Sequence, residues 1–238
     1  MQLAQWPLSQ LVGTLSTTRE GGVSLPPFDS FNLAFHVGDN AEHVAENRRI
    51  LHGYVANPIV WLEQVHGAEV MVVDEQFEAA QVHQADALYT RLRQTPLAIM
   101  TADCLPILLA SENGEEVAAI HGGWKPLAAG IIANTLAKFR CAPEEIHAWF
   151  GPAIGPDAFE VGEDVVAAFE AQKSTPFTAT KKGKYLGNIF ALAETLLRQQ
   201  GVTKFYGERH CTVSLPELYF SYRRDNITGR MATLIWRK

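Results

Sequence analysis

The sequence predicts an α+β fold with a mixed or layered sheet, carried by one domain spanning residues 1–238. Three observations predict it. Apolar runs of strand length outnumber helical stretches, many of those runs are joined by short turns, and no linker, repeat or low-complexity segment divides the chain. Core material is ample, with 47% of the residues hydrophobic and 19% charged.

The elements follow in order. Residues 11–18 read as a strand that ends at Arg19, with Glu20-Gly21-Gly22 as the turn. Asp39 or Asn40 caps a helix over 41–55, with Val44, Leu51 and Val55 on one stripe, and Asn57-Pro58 ends it. Strand-length runs then come quickly, at 59–65, Val70–Val73, Ala87–Thr90, Leu97–Thr101, 107–110 and 117–120. Glu112-Asn113-Gly114-Glu115 makes a hairpin turn between the last two. Pro126 suits the first position of a helix over 126–140, with Ala128, Ile132, Leu136 and Phe139 along one face. A strand over 147–150, a helix over 163–171, a helix over 189–200 closed by Gly201, and a final strand over 231–236 complete the chain. The basic, Thr-rich stretch 173–184 reads as an exposed loop.

Charge and composition exclude several classes. With 20 Lys+Arg against 26 Asp+Glu the net charge is −6, which opposes a nucleic-acid binder that works by neutralising phosphates. No apolar run approaches the roughly 20 residues needed to cross a bilayer. The opening MQLAQWPLSQ lacks the basic-then-apolar pattern of a secretory signal. Three widely spaced cysteines cannot all pair, so the expectation is a cytoplasmic protein with reduced thiols.

Three segments set a metal-competent or nucleophilic side chain at the end of an apolar run. His66 closes Trp61-Leu62-Glu63-Gln64-Val65-His66-Gly67, Cys104 stands in Thr101-Ala102-Asp103-Cys104-Leu105-Pro106, and His121 precedes Gly122-Gly123-Trp124. Two imidazoles and one thiolate suit Zn²⁺ with a fourth position left open, but the same residues also suit a metal-free Cys-His pair. Copper can occupy such a set, whereas multi-copper oxidase chemistry requires histidines in His-x-His pairs, and none of the eight here is so spaced.

The segments WLEQVHG, QADALYT, TADCLPILL, AAIHGGWKPLAAGI, GPAIGPDAFEVG and SYRRDNITGR, with TTREGGVS at 17–24, resemble the YfiH-type purine nucleoside phosphorylases, also called the polyphenol oxidase or laccase-domain family. The resemblance covers nearly the whole chain. It implies a layered α/β/α-type sandwich similar to the catalytic domain of the cytotoxic necrotizing factors. It also implies one zinc ion on His66, Cys104 and His121. The activities implied are phosphorolysis of adenosine, inosine and methylthioadenosine, and deamination of adenosine. The substrates would be a purine nucleoside and phosphate, and the protein a monomer. The family's alternatives are a Cys-His hydrolase editing a peptidoglycan precursor and a copper-dependent polyphenol oxidase. Two positions depart from the family pattern: Lys125 replaces an arginine, losing its bidentate fork, and Tyr185-Leu186-Gly187-Asn188 lacks a usual aspartate.

These activities need further groups. Asp103 and Asp86 are candidates to carry a proton or to orient a ligating histidine. Phosphate needs cations, with Arg19, Arg48, Lys125, Arg223 and Arg224 as candidates beside the amides of Gly122-Gly123. The run Tyr219-Phe220-Ser221-Tyr222 either stacks on a purine or packs a core strand. Asn32 either reads a base edge or fixes a turn. His36, His43, His52, His83, His147 and His210 receive no role, and Cys141 and Cys211 read as packing residues.

Overall fold

Most of the strand-length runs are apolar throughout because their strands are covered on both faces. The computed structural model describes residues 1–55, 57–78, 80–170 and 176–238. Its large mixed sheet has the order β11 (Lys204–Tyr206), β7 (Ile146–Phe150), β5 (Leu105–Ser111), β6 (Val117–Gly122), β3 (Ala87–Thr90) and β2 (Val70–Val73). Its outermost pairs are parallel and its inner pairs antiparallel. A second, antiparallel sheet runs β1 (Val12–Ser16), β12 (Met231–Arg237), β4 (Leu97–Thr101), and a small third one runs β8 (Glu160–Gly162), β10 (Lys184–Gly187), β9 (Phe177–Ala179).

Alternation sorts the side chains into layers. From β5, Leu105, Ile107 and Leu109 pack with Leu127 of α2 (Trp124–Ala128), Ile132 of α3 (Ile131–Leu136), Val165 of α4 (Glu163–Ala168) and Phe190 of α5 (Ile189–Gln199). Leu108 and Ala110 face the other way, onto Leu97 and Ile99 of β4 and Ile235 of β12. The far side of this second sheet, with Ala98, Met100 and Leu234, receives Leu51 of α1 (Ala41–His52). The expected α/β/α sandwich is therefore corrected to a mixed α/β fold in which two sheets pack face to face between helices. Each buried Leu or Ile adds about 2 kcal/mol of transfer free energy to that stack.

Four local expectations change. The run 59–65 forms only isolated bridges, Val60 to Leu97 and Glu63 to Gln84, because it crosses from one sheet towards the other. The helix expected over 126–140 starts at Trp124, with Gly123 as its cap, and breaks at Gly130, whose φ of 90° is the left-handed conformation glycine permits. α1 ends at His52, and the side chain of Asn40 caps it by accepting from Glu42 N, while Asp39 accepts from Ser24 and Asn32. The segment read as a loop over 173–184 contains β9 and the start of β10; its residues 173–175, like Ala171 of the helix expected over 163–171, lie outside the described residues.

One buried carboxylate ties the large sheet to the segment after α3. Glu116 accepts from Tyr89 Oη and from the backbone N–H of Arg140 (2.9 Å) and Cys141 (3.0 Å). Burial alone would raise its pKa, but the Tyr89 bond and the two amides outweigh it and hold it below the ordinary value. Its contribution is thus complete above the ordinary glutamate range, near 4.3, and is lost as pH falls through the lower folded value. Glu116→Gln is expected to lower stability by about 1–3 kcal/mol at pH 7, with a flatter decline towards pH 3 than wild type. Urea melts across that range decide it; parallel declines in the two proteins would refute the assignment. Burial and the charge of Glu116 also push the Cys141 thiol up to about 12, which fits a packing cysteine.

Candidate metal centre

The three donors meet where the chain passes between the two large sheets. β4 belongs to the second sheet and β5 to the first, so Ala102-Asp103-Cys104 makes the crossing. Asp103 turns it with φ of 86°, and its carboxylate pins the neighbours: Oδ1 accepts from Thr212 Oγ1 and Oδ2 from the backbone N–H of Arg223 at 2.6 Å. Both oxygens are engaged by protein donors, which makes Asp103 a positioning residue in this geometry.

His66 reaches the site on a loop fastened at two points. The Gln64 amide pairs with both backbone groups of Met100, donating to its carbonyl and accepting from its N–H, each at 2.8 Å. Buried Asp86 accepts from the consecutive backbone N–H groups of Val65, His66 and Gly67. His66 itself has φ of 59°, a left-handed conformation held by those bonds. The same Asp86 carboxylate bonds His121 Nδ1 at 2.7 Å, leaving Nε2 for the site, while His121 N donates to the Asp86 carbonyl. Of the two roles open to Asp86, the contacts support orientation.

The donor atoms of His66, Cys104 and His121 all lie within 4.8 Å of one another, and the two imidazole rings meet edge to face at 4.7 Å. Burial would raise the Cys104 thiol, but the charge of His121 and hydrogen bonds from both histidines lower it below its ordinary value. Burial would lower His121, but the Cys104 charge and the bond to Asp86 raise it. Cys104 is thereby favoured as a thiolate, the form that ligates metal or attacks carbon. The set fits a zinc ion chemically: one thiolate, two imidazoles, one of them with its tautomer fixed by a buried carboxylate. Gly123 closes the back of the site, where a Cβ would stand 3.1 Å from Cys104 Sγ.

The donors open on a cavity of about 370 Å³ lined by His36, Gln64, Thr101, Tyr222 and Arg230. A smaller lobe of about 180 Å³ shares Cys104 and Tyr222 and is walled by Trp124, Ile154, Phe159 and Ile189, with Arg223 at its edge. The expected cations distribute unevenly. Arg19 bonds the carbonyls of Asp29 and Pro216, and Arg224 those of Thr212, Val213 and Tyr219, so both serve the backbone. Arg223 donates to Ala158 O, Lys125 is exposed with Nζ 5.7 Å from the Trp124 ring, and Arg48 lines a groove next to the cavity. Asn32 is fully buried and fixes a turn, accepting from the N–H of Ala34 and of Arg230. Tyr219 and Phe220 are core residues; Tyr222, on α6 (Tyr222–Asp225), is exposed and faces the cavity. His36, expected to have no role, lines the cavity, as does Arg230, which the sequence did not single out. Arg230 stands at the end of SYRRDNITGR, a signal that was present, whereas nothing in sequence sets His36 apart.

These features define a class of mixed α/β proteins with one candidate His-Cys-His metal centre at the crossing between two sheets. The family described as multi-copper polyphenol oxidoreductase laccase matches residues 13–238, and the chain belongs to that family. It is 48% identical over 236 residues to the purine nucleoside phosphorylase YfiH of Escherichia coli, covering 98% of this chain and 96% of the relative. It is 45% identical over 239 residues to the purine nucleoside phosphorylase of Haemophilus influenzae, covering 97% and 96%. A Neisseria meningitidis crystal structure superposes with a TM-score of 0.93 at 44% identity, covering 100% of this chain and 98% of that one. YlmD from Geobacillus stearothermophilus superposes at 0.92 and 33% identity, covering 98% and 94%. Among the described residues one three-donor cluster is present, in contrast to the several coppers of the family's description. Among the described residues, no helix is long and apolar enough to cross a membrane.

Proposed function

We propose that residues 1–238 act as one catalytic domain: a zinc-dependent purine nucleoside phosphorylase for adenosine, inosine and methylthioadenosine that also deaminates adenosine. One observation carries the reading. Three ligand-competent side chains converge on a cavity that also presents a guanidinium and an exposed tyrosine, in a chain close to proteins named purine nucleoside phosphorylase.

His66, Cys104 and His121 would hold the ion, and zinc there supplies a Lewis acid that lowers the pKa of water. Asp86 fixes the His121 ring and the His66 loop, so neither donor reorganises on binding. Tyr222 offers an aromatic face to a purine, and Trp124, Ile154, Phe159 and Ile189 keep the smaller lobe apolar. Arg230 brings positive charge to the phosphate. Free thiols at all three cysteines suit a monomer working in the cytoplasm. Copper binding to the same donors would follow from its higher affinity for such sets.

A second reading has its own support. Cys104, His121 and Asp86 stand in the order of a nucleophile, base and orienting acid, as a metal-free hydrolase of a cell-wall precursor or of the necrotizing-factor type requires. His66 favours the metal reading, because a Cys-His pair has no use for a second imidazole at the thiolate. Protein purified without added metal is expected to carry about one zinc per chain, to convert adenosine and phosphate to adenine and ribose 1-phosphate, and to release ammonia from adenosine. Metal-free protein with alkylatable Cys104 and undiminished turnover would favour the hydrolase instead.

A further inference from the structure

The groove beside the metal cavity has a volume of about 530 Å³, and His36 and Met100 line both spaces, so the two adjoin. Each space holds one guanidinium without an anion, Arg48 on the groove and Arg230 on the metal cavity, and both act on the charge of the shared His36. Arg48 lies over the rings of Trp61 (4.0 Å) and Phe35 (4.6 Å), donates through Nε to Leu33 O at 2.9 Å and reaches Met100 Sδ through Nη2. Arg230 directs Nη1 to the carbonyls of Thr228 and Gly229. The remaining N–H donors of both have no protein partner among the described residues, and neither side chain forms an ion pair, unlike Arg19, Arg49, Arg198, Arg209 and Arg224.

An exposed arginine needs no counter-ion, but these two are largely withdrawn from water. Burial lowers Arg48 to about 10 and depresses Arg230 as well. A desolvated cation without a partner is costly, and an arriving oxyanion removes that cost. His36 lies within reach of both charges: burial, then Arg230, then Arg48 lower its pKa, opposed by Glu63 on the groove wall. A neutral imidazole there supplies one more donor. Two planar forks on either side of His36 match the oxygens of a phosphate group better than those of a single carboxylate.

We propose that Arg48, Arg230 and His36 form the inorganic-phosphate site of this enzyme, on the His36 side of the metal cavity and away from the Gly122-Gly123 turn. The inference rests on the phosphorylase reading and adds where the second substrate sits. The phosphate group of a nucleoside monophosphate shares this chemistry, so the test includes both sources.

Inorganic phosphate is titrated calorimetrically into the metal-loaded protein, alone and with adenosine or adenosine 5′-monophosphate present. Phosphate is expected to bind, adenosine not to displace it, and Arg48→Gln and Arg230→Gln each to weaken it about tenfold or more. His36→Glu, at an exposed position, places a carboxylate beside the guanidiniums and is expected to abolish binding even if an arginine variant fails to fold. Phosphate affinity within about twofold of wild type in His36→Glu overturns the site. Binding of the monophosphate through these three residues, with no binding of inorganic phosphate to the wild type, overturns inorganic phosphate as the occupant. Because binding is read directly, a wild type that binds phosphate without phosphorolysis refutes the proposed function alone. Phosphorolysis with an unmoved phosphate KM in all three variants refutes the site alone.

Discussion

Cys104→Ala is expected to abolish nucleoside turnover, with a loss of at least about a thousandfold, the scale of removing one indispensable member of a catalytic unit. The same variant is expected to lose its metal, since two histidines are left to hold it. The thiolate is the single anionic donor of the set, and its low pKa depends on His121 and His66 standing against it. The other cysteines provide the comparison. Cys141 has a raised pKa and packs beside Glu116; Cys211 accepts from Gly155 N at 3.2 Å and from Ser214 Oγ at 3.3 Å, which holds a loop. Cys141→Ala and Cys211→Ala are expected to keep most of the activity and all of the metal. Elemental analysis and steady-state assays on the three variants settle the matter. Equal losses across them, following their melting temperatures, would mean that folding rather than chemistry had been measured.

Asp86→Ala is expected to do nearly as much without touching substrate. The carboxylate is fully buried and serves four donors, the N–H groups of residues 65–67 and His121 Nδ1. Removing it leaves those donors unpaired and frees both the His66 loop and the His121 ring. Metal affinity should fall about 10–100-fold, and stability by about 3 kcal/mol or more, since several buried donors are orphaned at once. Asp86→Asn retains one acceptor oxygen and should fall between. Competition against a chelator reads the first effect and thermal unfolding the second. A variant destabilised as expected but binding metal with wild-type affinity would reduce Asp86 to a structural residue.

Much of the sheet was legible in the sequence because β3 and β4, buried at every position, sit at the runs Ala87–Thr90 and Leu97–Thr101 read from apolar character alone. Strands covered on both faces must be apolar at consecutive positions, so the run itself is the signal. β8, β9 and β11 are three residues each and partly exposed, and such strands carry no run to read. The split between α2 and α3 was hidden because Gly130 is tolerated in an apolar helical pattern, and only its conformation shows the break. The second sheet was beyond sequence for another reason: pairing β1 with β12 joins the two ends of the chain, and nothing local encodes that.

The site divides along the same line. The sequence by itself determined the donor chemistry, because whether a side chain offers a thiolate, an imidazole or a guanidinium is a property of the residue, and His66, Cys104 and His121 stood out in their strand-end contexts. The tertiary structure decided which of the charged residues face the cavity. Arg19 and Arg224 turn to backbone carbonyls, Lys125 to solvent, and Arg230 and His36, which the sequence had given no role, to the cavity. The physical reason is that convergence depends on how two sheets are stacked and on where the chain crosses between them. Asp86 can bind His121 and the His66 loop together only once β3 has paired with β6 and brought the three segments to one end of the sheet.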